Sequence, residues 1–249
     1  MTSSRIQELF MVVPCFNEEK RIKLNYWNDL TDIPNVRWIF VNDGSTDGTK
    51  NVLYKITNAT IIDINKNVGK AESIRKGITE TYKKNSGESF WVGYLDADSA
   101  FEIEDIRKVI KLVYSKSSAY DSYWGSRVAL AGRQITRNNL RHILSRILIT
   151  IFGYKMRDLP YDPQTGFKIF KFNNQQMEIF EKRFETKWFV DLEILIRYQV
   201  LEKQIMKIWE EPVNTWKDVD GSNIRGFELI TVVNDLIKIL RIIRKMRSV

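Results

Sequence analysis

Cysteine, histidine and proline are scarce in this chain: one, one and five among 249 residues. A single cysteine, Cys15, excludes an internal disulfide framework and suits a reducing compartment. The lone histidine, His142, has no partner at a spacing that would build a transition-metal centre. No low-complexity stretch and no internal period point to repeats or a linker. Long apolar runs are also missing. The most apolar stretch, Ile143 to Phe152, is interrupted by Ser145, Arg146 and Thr150, short of the roughly 18 residues that a membrane span needs. The opening MTSSRIQELF carries no apolar signal-peptide core. Any membrane contact is therefore expected at the surface, and a cytoplasmic location is expected.

What is present suits a globular α/β domain. Hydrophobic residues make up 43% and charged residues 28%, enough apolar content for a sizeable core. The net charge of +8 points to anionic partners: nucleic acid, phosphorylated substrates and acidic lipid all fit. No segment resembles a nucleic-acid recognition module, so no nucleic-acid partner is expected.

Short apolar runs alternate with helical patterns through the first half. Strands are expected at Leu9–Pro14, Trp38–Val41, Thr60–Ile64 and Phe90–Leu95. Helices are expected at Glu18–Leu30, Thr46–Ile56, Gly69–Lys83 and Ile103–Ser115. Repeated βα units with continuously apolar strands predict a mostly parallel, doubly wound sheet, with ligands at the carboxyl ends of the strands. The polar clusters fall at those ends. The second half is less regular, with strands expected at Ser122–Ser126, Phe167–Phe170 and Met206–Trp209. Helices are expected at Asn138–Phe152, at Phe189–Leu201 and from Ile224 to the end. The reading is one domain, residues 1–225, with a basic amphipathic helix over 226–249. That helix could lie on an anionic membrane, pack on the core, or serve an oligomer contact.

Three constellations carry chemistry. Asp96-Ala97-Asp98 ends an apolar strand. Two carboxylates this close repel unless a cation neutralises them, and a hard divalent ion would bind one or two of them plus substrate phosphates. The plainer alternative is a strand-end turn in which Asp98 caps the next helix. Asn42-Asp43-Gly44-Ser45-Thr46-Asp47-Gly48-Thr49 follows the second strand, and Asp43 is placed to accept hydrogen bonds from a base or ribose. A simple turn and helix cap would also explain it. Asn67-Val68-Gly69-Lys70, followed by Arg75, puts two cations at a helix start that favours phosphate; a solvated basic face is the alternative.

Taken together, these segments resemble the family 2 glycosyltransferases of GT-A fold. Val13-Pro14-Cys15-Phe16-Asn17-Glu18 is similar to their opening P-x-x-N-E strand. Residues 42–49 resemble their D-G-S-x-D-G-T turn, with Asn42 where many members have Asp. Residues 67–77 resemble their N-x-G-K…R-x-G element, and Asp96-Ala97-Asp98 their metal motif. Gly125-Ser126-Arg127, Gln164-Thr165-Gly166-Phe167-Lys168, Lys187 to Glu193 and Glu211 to Trp216 resemble the dolichyl-phosphate glycosyltransferase branch, the glucosyl enzymes most. The chain departs from that branch in reading Asp162-Pro163-Gln164-Thr165 for D-T-Q-C, and no N-terminal anchor of the kind found in that branch is expected from its opening residues.

The resemblance implies an inverting, metal-dependent hexosyl transfer, with glucose from UDP-glucose expected and a polyprenyl or dolichyl phosphate acceptor at the cytosolic membrane face. It places Pro14, Asn17, Glu18 and Asp43 around the nucleoside, and Lys70 and Arg75 near the base or diphosphate. Asp98 is the main metal ligand, and Asp96 holds the ribose or the metal; Mg²⁺ and Mn²⁺ both suit oxygen ligands. Gln164 approaches the donor sugar, and Arg127, Arg137 and Arg141 bind an acceptor phosphate. Asp191, grouped with Asp98 as catalytic, acts as general base toward a hydroxyl acceptor or orients a phosphate acceptor. Asp191 and Glu193 lie two apart at a helix start, so one is expected to face the site while the other caps or pairs. Two other readings are a transferase that extends a saccharide at a hydroxyl and a catalytically silent nucleotide-binding member.

Overall fold

The computed structural model describes residues 8–85, 89–116, 119–136, 146, 150, 152–153, 159–217 and 226–246. Four strands alternate with helices through the first half: β1 (Leu9–Cys15), α1 (Leu24–Thr31), β2 (Val36–Asp43), α2 (Thr49–Leu53), β3 (Ala59–Ile64), α3 (Lys70–Lys84), β4 (Phe90–Leu95) and α4 (Ile103–Ser115). The second half adds β5 (Ser122–Ser126), β6 (Gln134–Thr136), β7 (Phe167–Phe172), α5 (Met177–Glu181), α6 (Val190–Glu202), β8 (Ile208–Pro212), β9 (Thr215–Lys217) and α7 (Gly226–Met246).

Seven strands form one sheet in the order β3-β2-β1-β4-β7-β5-β8, and β6 pairs with β9 apart from it. β1, β2, β3 and β4 are mutually parallel, as are β5 and β8. β7 runs antiparallel to both its neighbours, β4 and β5. The sheet is thus mostly parallel, as the apolar strands predict. Alternate residues feed two cores, one on each face. Phe10, Val12, Ile39 and Val41 point to the side of α3 and α6. Leu9, Met11, Val13, Trp38 and Phe40 point to the side of α1 and α4, as the two-residue period of a strand requires. β1 lies between β2 and β4, so the chain winds outward in both directions from it. The crevice at their carboxyl ends is where such a sheet binds ligands.

Several boundaries differ from those expected. The helix expected from Glu18 starts only at Leu24; a separate turn precedes it, in which Arg21 N and Ile22 N donate to Glu18 O. Asn17 N donates to Ser45 Oγ (3.1 Å), and Glu18 N to Thr49 Oγ1 (2.7 Å). The helix expected over Thr46–Ile56 is five residues long; Thr46 N and Gly48 N donate to Asn17 Oδ1 and Glu19 Oε2 instead. The strand expected at Met206–Trp209 is shifted to Ile208–Pro212, in register with β5. The helix expected at Asn138–Phe152 lies almost wholly outside the described residues.

The C-terminal helix α7 is docked on the domain. Ile239 and Ile243 are buried in the core beside α6. Asp235, also buried, accepts the amides of Lys187 (2.6 Å) and Trp188 (2.9 Å). On the opposite side Val233, Ile237 and Arg241 are exposed.

Candidate active site at the carboxyl edge of the sheet

The loops after β1 and β2 are laced together by side chains bound to backbone. Beyond the contacts above, Asp43 is buried, and each of its oxygens accepts an amide from the loop before α3: Val68 N and Gly69 N, both at 2.8 Å. Gly44 has a positive φ of 65°, and a Cβ there would meet Asn67 N at 2.5 Å, so only glycine permits this approach. Asn17 also sits at positive φ, 54°, a conformation Asn tolerates better than most residues. Pro14 is half-buried at the end of β1, opposite Val41.

Asp96 and Asp98 follow β4 in this crevice. Asp96 N donates to Gly166 O (3.0 Å). A Cβ at Gly166 would strike Asp96 Oδ2 at 2.2 Å. The Lys70 ammonium contacts the same carboxylate. Burial pushes the Asp98 pKa up and the Asp96 carboxylate adds to the effect, while the Ala100 amide, Lys70 and Arg21 oppose it. Glu18 belongs to the same field. Burial raises its pKa to about 7, Arg21 works against the rise, and Asp98 and Asp96 reinforce it.

These features fit a divalent cation. The Asp96 carboxylate raises the cost of ionising Asp98, and a lysine ammonium sits on Asp96. No group of three or more His, Cys, Asp or Glu side chains placed to hold a metal occurs among the described residues. An ion here would rest on Asp96, Asp98 and ligand oxygens, as Mg²⁺ and Mn²⁺ commonly do with phosphates.

Asp191 and Glu193 meet different partners. Asp191, in the first turn of α6, takes the Tyr94 hydroxyl and the Lys168 ammonium (2.9 Å) on one oxygen, Oδ1. It also lies within electrostatic reach of Lys70, which places it beside the Asp96 cluster. Glu193 is buried and accepts the amides of Glu185 and Thr186, the Thr186 hydroxyl and Arg197. It secures the turn into α6.

Other expected contacts are placed differently. Arg75 donates to both oxygens of Glu72 and to the carbonyls of Phe180 and Glu181. Its guanidinium is committed to α5 rather than to the carboxylate cluster. Arg127 grips buried Asp162 with two bonds of 2.8 Å, donates to Gln164 O (2.9 Å) and stacks over Trp216. Gln164 is thereby held through its backbone. Arg137 and Arg141 lie outside the described residues.

Sequence reasoning gave no role to Lys168, which is fully buried (0% exposed). The signal was present: Phe-Lys-Ile-Phe-Lys-Phe places a lysine inside an apolar strand, and such a charge persists only when paired.

The comparisons with known proteins agree with this geometry. Residues 10–184 match the family model described as Glycosyl transferase family 2. The chain belongs to this family. It is 32% identical over 246 residues to a dolichyl-phosphate beta-glucosyltransferase of Trichomonas vaginalis, covering 93% of this chain and 72% of the relative. The human dolichyl-phosphate beta-glucosyltransferase is 27% identical, covering 90% and 72%. Among solved structures, glucosyl-3-phosphoglycerate synthase from Mycobacterium tuberculosis in complex with Mg²⁺ and UDP superposes with a TM-score of 0.67 at 16% identity. It covers 94% of this chain and 78% of that one. The same enzyme with Mn²⁺, UDP-glucose and phosphoglyceric acid gives 0.66 at 17% identity, covering 94% and 78%. At that identity the likeness establishes the GT-A fold.

Proposed function

We propose that this family 2 glycosyltransferase moves glucose from UDP-glucose to a polyprenyl or dolichyl phosphate, with inversion, at the cytosolic face of a membrane. The observation that carries the reading is the Asp96/Asp98 pair at the carboxyl edge of the sheet, flanked by Lys70 and closed on one side by Gly166. The choice of sugar and acceptor follows the dolichyl-phosphate beta-glucosyltransferases. UDP-glucose is also the ligand named for a mycobacterial neighbour.

The loops that hold Pro14, Asn17, Glu18 and Asp43 form the wall for the nucleoside. Asp43 sets this wall by fixing the turn before α3, and Lys70 at the start of α3 faces the diphosphate. Asp96 and Asp98 would hold the divalent ion, which when bound offsets charge on the departing nucleoside diphosphate. Asp191, fixed by Lys168 and Tyr94, orients the acceptor beside the donor. An acceptor phosphate oxyanion is already nucleophilic and needs no strong base. Arg137 and Arg141 remain proposed phosphate ligands, with Arg127 contributing through the wall it builds with Asp162. No helix among the described residues is long and apolar enough to cross a membrane. The exposed Val233, Ile237 and Arg241 of α7 support contact at the membrane surface.

A second reading, transfer to a saccharide hydroxyl, is favoured by the carboxylate of Asp191, which in that reading acts as the general base. One assay separates them. Purified protein is given UDP- and GDP-sugars, Mg²⁺ or Mn²⁺, and a short polyprenyl phosphate, and release of nucleoside diphosphate is followed. Turnover that needs both metal and lipid phosphate is expected. Donor hydrolysis that lipid phosphate does not stimulate would sink the lipid reading and move the acceptor to a saccharide.

A further inference from the structure

Lys168 lies in β7, the central antiparallel strand, directly across from Tyr94 of β4 and Trp124 of β5. Its ammonium is 5.3 Å from the centre of the Tyr94 ring and 4.6 Å from that of Trp124. Both rings are buried, so the cation sits in an aromatic slot closed to water. Such a slot favours a cation through the negative faces of the rings, yet a buried ammonium also needs hydrogen-bond partners. Lys168 has two: the carbonyl of Thr165 and the Asp191 carboxylate. Burial lowers its pKa, and Asp191 opposes that fall.

These two partners belong to different parts of the site. Thr165 is in the loop whose next residue, Gly166, bears on Asp96. Asp191 opens α6. We propose that Lys168 is a positioning residue for glycosyl transfer: its buried ammonium ties the 162–166 loop to the start of α6, and so fixes the Asp191 carboxylate relative to Asp96 and Asp98. Tyr94 completes the fixture from β4, donating to the same Asp191 oxygen. Asp191 is then held between two rigid neighbouring strands rather than by its own helix alone.

The activity arm of the test rests on the glycosyl-transfer reading; a second arm does not. Lys168→Met keeps the chain length and the apolar fit between the rings but removes the charge. Misplacing a reacting group by about 1 Å can cost ~100-fold, so kcat for transfer is expected to fall ~100-fold. Affinity for the nucleotide sugar with Mn²⁺ should stay within about 3-fold, since the nucleoside wall is built elsewhere. Asp191→Asn should lose a similar factor. The double variant should be no more than about 3-fold worse than the poorer single variant, because both changes remove one arrangement. Losses that multiply, or a Lys168→Met enzyme within about 3-fold of wild type, would overturn the role.

Amide hydrogen exchange on the ligand-free protein needs no turnover. Exchange at Thr165 and in the first turn of α6 should rise by about 10-fold in Lys168→Met, because local opening becomes easier there. Unchanged exchange in both segments also overturns the proposal, whether or not any acceptor is used. If Lys168→Met does not fold, Tyr94→Phe removes one donor from the same oxygen and leaves the charge. It should lower kcat by about 5-fold, and a loss that multiplies with that of Asp191→Asn counts against the fixture.

Discussion

The two halves of the molecule lean on different polar contacts. From β1 to α4, polar side chains bind backbone amides of neighbouring loops: Asn17 with Thr46, Glu19 with Gly48, Asp43 with Val68 and Gly69. The loops are thereby fixed, while Asp96 and Asp98 have Lys70 and Arg21 as their nearby cations. From β5 to α7, charge meets charge inside the fold: Arg127 with Asp162, Lys168 with Asp191, and Arg197 with Glu193. On the proposed function, the carboxylate pair of the first half is the part left to a metal and a diphosphate. The second neutralises its charges internally and uses them to hold groups in place.

The largest effect expected from that contrast is loss of the open charge. Asp98→Asn should lower turnover by ~1000-fold, the scale on which key electrostatic groups act, with the melting temperature unchanged or raised. It rises if removing a repelled carboxylate relieves the fold. A variant that keeps turnover within 10-fold would place the metal elsewhere. In the second half the loss should instead fall on stability. Arg127→Met removes the guanidinium that grips Asp162, which is 3% exposed. Breaking a buried pair costs roughly 3–5 kcal/mol, and the lower end applies because the guanidinium is partly exposed. Urea unfolding checks it, and a change below about 1 kcal/mol would show that Arg127 is not structural.

The same contrast explains what was legible in the sequence. In the half proposed to bind the donor, the carboxylates and Asn17 stand at the ends of apolar strands, where a polar residue has no packing reason to be. The strand ends therefore mark Asn17, Asp43, Asp96 and Asp98 as proposed site residues from the sequence alone. Periodicity placed β4, α4 and β5 to the residue. It set the starts of α1 and α2 too early: each is preceded by a turn bound by side chains about 30 positions away, contacts that periodicity does not register. The antiparallel run of β7 was invisible too, since a buried strand reads alike in either direction. Lys168 escaped for a related reason: its partner Tyr94 is far away in sequence, and only sheet register brings them together. Arg75 and Arg127 looked like phosphate ligands because guanidinium suits both phosphate and carboxylate. Which of the two it meets is decided by folding.

A smaller effect tests whether the open site strains the fold. Folded Glu18 keeps its proton up to about pH 7, whereas the ordinary carboxyl value is 4.5. Below pH 4.5 both the folded and unfolded forms are protonated. Between 4.5 and 7 the folded protein retains a proton that the unfolded chain has released, so stability falls as the pH rises and the loss is complete above 7. The scale is roughly 2 kcal/mol after allowance for solvent at a partly exposed edge. Glu18→Gln should remove that slope. Comparing unfolding midpoints at pH 5 and pH 7.5 reads it, and an equal slope in both proteins would mean that other groups carry it.

An effect of similar size concerns the lacing, and it separates two uses of one residue. Asn17 supplies a left-handed backbone and an oxygen that accepts Thr46 N. Asn17→Ala loses both: about 1 kcal/mol for the hydrogen bond and a further ~1 kcal/mol for an alanine at positive φ. Asn17→Gly loses the oxygen but keeps the conformation at little steric cost, so its loss should be about half as large. If the loops of the donor half are set by side chains rather than by strain, the donor KM should rise a few-fold in both variants alike. If the left-handed turn is what aligns the loop, only the alanine variant should show it. Equal stability losses with a normal KM in both would mean that the lacing supports the fold but does not shape the nucleoside wall.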